Sequence, residues 1–211
     1  MTSDAPADTR PETDPSDPTD PRLPLRTARL VLRPLALSDI DALLAYRGQP
    51  ETVRYVPFEP GTRAELLTRL RTDLVGAVPT DEGQALKLGV EVAATGELVG
   101  DVVLFWHSRQ HRAGEIGYLL HPDHQGRGYA TEAAAALLTF AFDVLGLHRV
   151  VARVDARNTA SARVARRLWM RQEAHLVENE WFKGGWADEL VFAVLEDEWR
   201  TARRAADGPA R

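Results

Sequence analysis

One stretch constrains this chain more than any other: Glu115-Ile116-Gly117-Tyr118-Leu119-Leu120-His121-Pro122-Asp123-His124-Gln125-Gly126-Arg127-Gly128-Tyr129-Ala130-Thr131-Glu132. It reads as a strand, a Pro-bounded turn, a loop of small residues and the start of a helix. Backbone N–H groups at a helix start have no helical partner, and the helix dipole adds partial positive charge. Gly126, Gly128 and Ala130 carry little or no side chain, so a phosphate can come close to the backbone. The stretch is therefore a candidate pyrophosphate cradle. It is neither a Walker loop nor a dinucleotide fingerprint, because Gly-Lys-Ser/Thr and GxGxxG are both absent. A tight strand-to-helix turn without a ligand is the competing reading.

The surrounding pattern alternates strands and helices. Strands are expected at Arg29 to Pro34, Glu115 to Leu120 and Arg149 to Val154. Leu86 to Ala93 and Leu98 to Trp106 flank Ala94-Thr95-Gly96-Glu97 as a hairpin, and Leu176 to Phe182 and Ala187 to Leu195 form a last pair around Lys183-Gly184-Gly185. Helices are expected after a Ser38-Asp39 cap, from Arg63 to about Leu74, from Thr131 to Val144 and from Ser161 to Trp169. This is a mixed α/β domain of six or seven strands and about four helices.

Composition narrows the chemistry. The 211 residues contain no cysteine, which removes disulfides, iron–sulfur clusters, cysteine zinc sites and thiol nucleophiles. No apolar run reaches the ~18 residues of a membrane span, so a cytoplasmic protein without membrane contact is expected. Six acids and two bases lie within residues 1–22 and account for -4 of the formal net charge of -5. The near-neutral remainder offers no electrostatic footprint for nucleic acid. Five prolines and no Ile, Leu, Val or aromatic residue in residues 2–22 predict a disordered acidic tail. The domain is expected over 23–202, with a frayed C-terminal tail at 203–211.

Gln125-Gly126-Arg127-Gly128-Tyr129-Ala130 resembles the acyl-CoA pyrophosphate loop (Q/R-x-x-G-x-G/A) of the GNAT family of N-acetyltransferases. The resemblance covers most of residues 25–200. "RLVLRPL", "GELVGDVVL" and "RVDARNTASARVARRL" are similar to the Rim-type branch, which acetylates N-termini of ribosomal proteins. "ENEWFKGGWADELVFAVLEDEW" supports the same branch. The resemblance implies a twisted mixed sheet whose fourth and fifth strands, here Glu115 to Leu120 and Arg149 to Val154, splay apart at a bulge. Acetyl-CoA is then the co-substrate, with no metal. Its pantetheine is implied to pair with Tyr118, Leu119 and Leu120, and its pyrophosphate to sit on Gly126, Arg127, Gly128, Tyr129, Ala130 and Thr131 behind Gln125. Asn158 and Ser161 match pantetheine-contacting positions; capping of the following helix is their simpler role. A homodimer is a further implication.

Acetyl transfer to an amine needs a proton acceptor, because an alkylammonium near pKa ~10 is not nucleophilic. It also needs a donor to the thioester oxygen, for which the resemblance points to the backbone N–H of Leu120, and stabilisation of the departing thiolate. Glu180 matches a glutamate that orders a proton-accepting water in Rim-type enzymes. Glu115, at the start of the cofactor strand, is the second candidate base; either could instead be an ordinary strand glutamate. Many relatives place an acidic tyrosine where this chain has Ala165, so Ser161 is the implied substitute, with Tyr118 and Tyr129 behind it. Trp169-Met170 replaces a common Gly-Phe and is expected to reshape the cleft floor. His107, His111, His121 and His124 lack an obvious third ligand, so no metal site is expected. Trp181, Phe182 and Trp186 are read as core or dimer contact, or else as an acceptor-pocket lining. The acceptor is a primary amine, with a protein N-terminus as the first reading. A small amine such as an aminoglycoside, polyamine or amino-acid derivative is the alternative, and a non-catalytic acyl-CoA sensor is a third.

Overall fold

Leucine and valine on alternate residues build the centre of the molecule. Leu86, Leu88 and Val90 share one face of a strand and are fully buried. Against that face lies a helix whose Ala133, Ala134, Leu137, Leu138 and Ala141 recur at helical spacing and are equally buried. The computed structural model describes residues 22–72 and 78–207. The strands are β1 Leu25–Arg26, β2 Leu30–Arg33, β3 Ala85–Val92, β4 Glu97–Ser108, β5 Ala113–Leu120, β6 Arg149–Asp155, β7 Arg171–Phe182 and β8 Gly185–Leu195. They form one sheet in the order β1-β2-β3-β4-β5-β6-β8-β7. Only the β5–β6 pair is parallel, and helix α4, Tyr129–Asp143, carries the chain across it.

Helices cover both faces. Helices α4, α5 (Thr159–Arg167) and α6 (Glu196–Asp207) contribute to the main core or flank it on one side. On the other side α1 (Ile40–Arg47) and α3 (Arg63–Thr72) bury Ile40, Leu43, Tyr46, Leu66 and Leu70 against Leu35 and Leu98. A single turn, α2 (Pro50–Val53), follows α1.

The sheet opens where the sequence reading places the splay. Ala113, Gly114 and Glu115 pair with Arg149, Val150 and Val151, and the pairing stops there. Beyond it β5 pairs with β4 and β6 pairs with β8. The β4–β5 register runs unbroken from Gly114 to Leu120, so the strands diverge without a bulge in that ladder.

Several expectations need correction. The sheet has eight strands because β1, two residues long, carries no readable alternation. Six α-helices form among the described residues, since α2 is one turn and α6 is a charged segment that buries Trp199 behind three first-turn acids. That helix continues through Asp207, past the expected fray point: Arg203 lies over Trp199 and donates to Thr139. Asp39 holds the N-cap position of α1 but makes no side-chain capping bond, because its carboxylate accepts the Ala36 N–H and the Arg33 guanidinium. Strand β7 starts at Arg171, five residues earlier than its apolar pattern suggests. The acidic tail and the last residues of the Arg63 helix lie outside the described residues.

Candidate active site

The loop from Gln125 to Thr131 forms the expected turn into a helix start. Gly126 and Gly128 take left-handed backbone angles, φ 76° and 83°, which disfavour any other residue. A Cβ at Gly126 would meet no atom within 4 Å, and at Gly128 only the Arg29 guanidinium, so the loop backbone faces open space. Gly128 offers α4 no side-chain cap, and the first helical bond runs from Glu132 N–H to the Gly128 carbonyl. The amides of Tyr129, Ala130 and Thr131 therefore have no helical carbonyl to donate to. Among the described residues the buried Thr131 hydroxyl also has no partner. Spare donors, an orphan hydroxyl and room for a ligand fit a pyrophosphate.

Side chains from elsewhere brace the loop. Glu132 accepts from Thr27 Oγ1 (2.6 Å), the Arg29 amide (2.9 Å) and Arg29 Nε (2.7 Å). Arg29 also donates to the Arg127 carbonyl (3.0 Å) and lies over the Tyr129 ring. These bonds, with burial opposing them, hold the Glu132 carboxyl below its usual range. Arg127 donates to the Asp123 carbonyl, and Gln125 turns its amide onto the Leu120 carbonyl, tying the loop to the end of β5.

At the splay, Tyr118, Ser161 and Asn158 come together. The Tyr118 hydroxyl lies 2.9 Å from Ser161 Oγ and 3.1 Å from the Ser161 carbonyl. Asn158 Oδ1 accepts the Ser161 amide (3.0 Å), so it does cap α5. Burial pushes the Tyr118 phenol up to about 12, partly offset by the bond from Ser161. Ala165 is fully buried, so a packed methyl fills the position of the missing tyrosine. Leu120 is buried in the main core, and Leu119 packs toward α1 and α3.

The two glutamates share a cavity of about 140 Å³ at the vertex of the splay, lined also by Tyr55, Pro57, Arg153, Asp155, Asp188 and Glu189. Strand register puts Glu115, Arg153 and Glu189 on one face of the sheet. Arg153 bridges Glu189 (2.8 Å) and Glu115 (3.5 Å), and Glu115 also contacts His107 Nε2 (3.0 Å). Glu189 is 5% exposed and accepts from Asn179 Nδ2 (3.0 Å). Burial, with the Glu180 and Glu115 charges, raises the Glu189 carboxyl against the pull of Arg153. Glu180 is exposed, and among the described residues its carboxylate makes no hydrogen bond or ion pair.

Sequence reasoning missed Arg153, Asn179 and Glu189. The available signal was a charge on the alternating face of two apolar strands, in "RVVARVD" and "ADELVFAVL". The tryptophans also need correction. Trp181 and Trp186 meet edge to face and are 61% and 55% exposed, so they are not core. The Phe182 side chain lies outside what is described. Trp169 sits at φ 57° against Trp199, lining a groove outside α4 rather than the cleft floor, because the chain turns outward after α5.

The sheet order, the splay and the loop define an acyl-CoA-dependent acyltransferase, and comparison with known proteins supports this. The acetyltransferase (GNAT) domain family matches residues 29–171, and the chain belongs to that family. The uncharacterized N-acetyltransferase p20 of Bacillus licheniformis is 33% identical over 178 residues, 83% of this chain and 97% of that protein. Spermidine N(1)-acetyltransferase of Escherichia coli is 27% identical over 168 residues, 80% of this chain and 87% of that protein. The crystal structure of a GNAT-family acetyltransferase from Bacillus anthracis superposes with a TM-score of 0.74 at 28% identity, covering 82% of this chain and 99% of that one. This chain is thus an acetyl-CoA-dependent N-acetyltransferase. Among the described residues no helix is long and apolar enough to cross a membrane.

Proposed function

We propose that the chain acetylates a primary amine that arrives as a cation in the cavity between Tyr55, Glu115, Glu180 and Glu189. Carrying this reading is the unpaired Glu180 carboxylate, which faces the same cavity as Glu115 at the splay vertex. Bound acetyl-CoA supplies the thioester, and the remaining work falls to this chain. Gly126 to Thr131 hold the pyrophosphate, and Tyr118 to Leu120 with Asn158 and Ser161 line the pantetheine arm. The backbone N–H of Leu120 donates to the thioester oxygen.

Glu180, through an ordered water, takes the amine proton. Glu115 shares Arg153 with Glu189 and contacts His107, so it orients the ammonium instead of accepting its proton. Ser161 donates toward the departing sulfur, backed by a Tyr118 hydroxyl that keeps its proton at neutral pH.

The acceptor has two readings. The Rim-type resemblance favours a protein N-terminus; a homodimer is implied by the family resemblance under either reading. Glu115 and Glu189 sharing Arg153, with the Glu180 carboxylate beside them, favour a small amine with a second positive charge, as the name of the spermidine-acetylating relative would fit.

Melting of the purified protein with acetyl-CoA, against adenosine 3′,5′-bisphosphate, tests the cofactor half. Saturation at ~100 times the dissociation constant adds roughly 2.7 kcal/mol, several degrees in Tm. CoA release with spermidine and with a basic N-terminal peptide then separates the acceptors. No shift at millimolar acetyl-CoA would end the enzyme reading.

A further inference from the structure

Strand β7 does not run straight past its partner. Leu176 pairs with Glu189 and Glu180 with Ala187, so Val177, Glu178 and Asn179 together face the single residue Asp188. Such a bulge re-aims the side chains that follow it. In a register continued without the bulge, Glu178 and not Glu180 would stand opposite Ala187. Glu178 has φ 49°, a left-handed angle that a glutamate holds only when its surroundings impose it.

The imposing group is Asp188. One carboxylate oxygen accepts the Glu178 amide (2.9 Å), and the other meets His175 Nε2 (2.8 Å). The clamp thus grips the bulge and the strand just before it. On the opposite face Asn179 is tied to Glu189. The bulge is fixed from both sides one residue before Glu180, whose own carboxylate is left untethered.

We infer that Asp188 is a positioning residue that, by clamping the β7 bulge, aims Glu180 at the acceptor amine. The inference rests on the proposed role of Glu180. Asp188 borders the cavity, but both of its carboxylate oxygens are engaged by Glu178 and His175, so its effect on catalysis runs through the backbone of Glu178.

A double-mutant cycle tests this, with steady-state kinetics on the acceptor that releases CoA fastest. Asp188→Ala is expected to lower kcat about tenfold, in line with the penalty for a misplaced group. Its acetyl-CoA KM should stay unchanged. In a Glu180→Gln background it should cost nothing further, which a merely structural role would not predict. Asp188→Asn, which keeps an acceptor for the Glu178 amide, should recover most of the rate. If Asp188→Ala does not fold, His175→Ala, which removes the exposed half of the clamp, carries the same cycle with a smaller loss. Losses that multiply in the double variant, or clamp variants at the wild-type rate while Glu180→Gln is slow, overturn the positioning role alone. Glu180→Gln at the wild-type rate overturns the base assignment and the positioning role with it.

Discussion

Replacing Glu132 by Gln probes the brace behind the cofactor loop. The carboxylate sits under the first turn of α4 and gathers Thr27 Oγ1, the Arg29 amide and the Arg29 guanidinium, with an Arg29 Nη2 contact at 2.6 Å. Glutamine keeps one oxygen for Thr27 and the Arg29 amide but points an NH₂ at the guanidinium. Two charge-assisted bonds are lost and a donor faces a donor. Such bonds are worth roughly 1.5–3 kcal/mol when shielded, and an exposed ion pair roughly 0.2–1 kcal/mol. Arg29 is half exposed whereas Glu132 is not, so a loss of about 1–2 kcal/mol is expected. For a domain of this size that is a fall of roughly 3–6 °C in Tm. The pH dependence has a definite sign. The folded carboxyl lies below its ordinary 4.5, so its stabilisation is complete above that value and disappears as pH falls through the folded pKa. Thermal melts of both proteins near neutrality and at acid pH should show a gap that closes on acidification. Acetyl-CoA should also bind the variant more weakly, because Arg29 holds the Arg127 carbonyl in the loop. Equal melting temperatures near neutrality, or a gap that widens in acid, would refute the brace.

Three further outcomes are expected. Gly128→Glu puts bulk and negative charge at a left-handed position in the cradle, and should abolish the acetyl-CoA melting shift; undiminished affinity would displace the pyrophosphate site. Changing Glu115 and Glu180 together to Gln should leave acetyl-CoA affinity intact while lowering kcat by about 10²-fold or more, and unchanged turnover would sink the base assignment. Leu137→Ala, in the fully buried face of α4, should cost about 2–5 kcal/mol in denaturant unfolding, and a loss under 1 kcal/mol would mean that face is not core.

How legible the site was in the sequence depended on the range of the interactions. The Gln125–Thr131 loop could be read because its demands are local: left-handed backbone at Gly126 and Gly128, then a helix start. The Asn158 cap is equally local, three residues from its Ser161 donor. The brace was not legible, because Arg29 and Glu132 are 103 residues apart and each reads as a solvated charge on its own element. Glu189 was missed for the same reason. Its partner Arg153 is 36 residues away, and only the sheet order brings β8 beside β6. The β7 bulge left no apolar trace, since Val177-Glu178-Asn179 breaks the alternation that marks a strand.

The two-residue period of one strand separates the two halves of the chemistry. On β5, Ile116, Tyr118 and Leu120 turn toward α4 and α5, where Tyr118 meets Ser161. Glu115, Gly117 and Leu119 turn the other way, toward Arg153 and the cavity at one end and toward α1 and α3 at the other. The pairing with β6 ends at Glu115, which lines the cavity. In the proposed arrangement, the Tyr118 side that meets Ser161 and the Glu115 side that opens on the cavity share a backbone while their side chains occupy opposite faces. On the proposed reading, divergence around Tyr55, Glu180 and Glu189 would change the amine without disturbing the Gln125–Thr131 loop. That explains how a loop so readable in sequence coexists with an acceptor that must be read from the cavity.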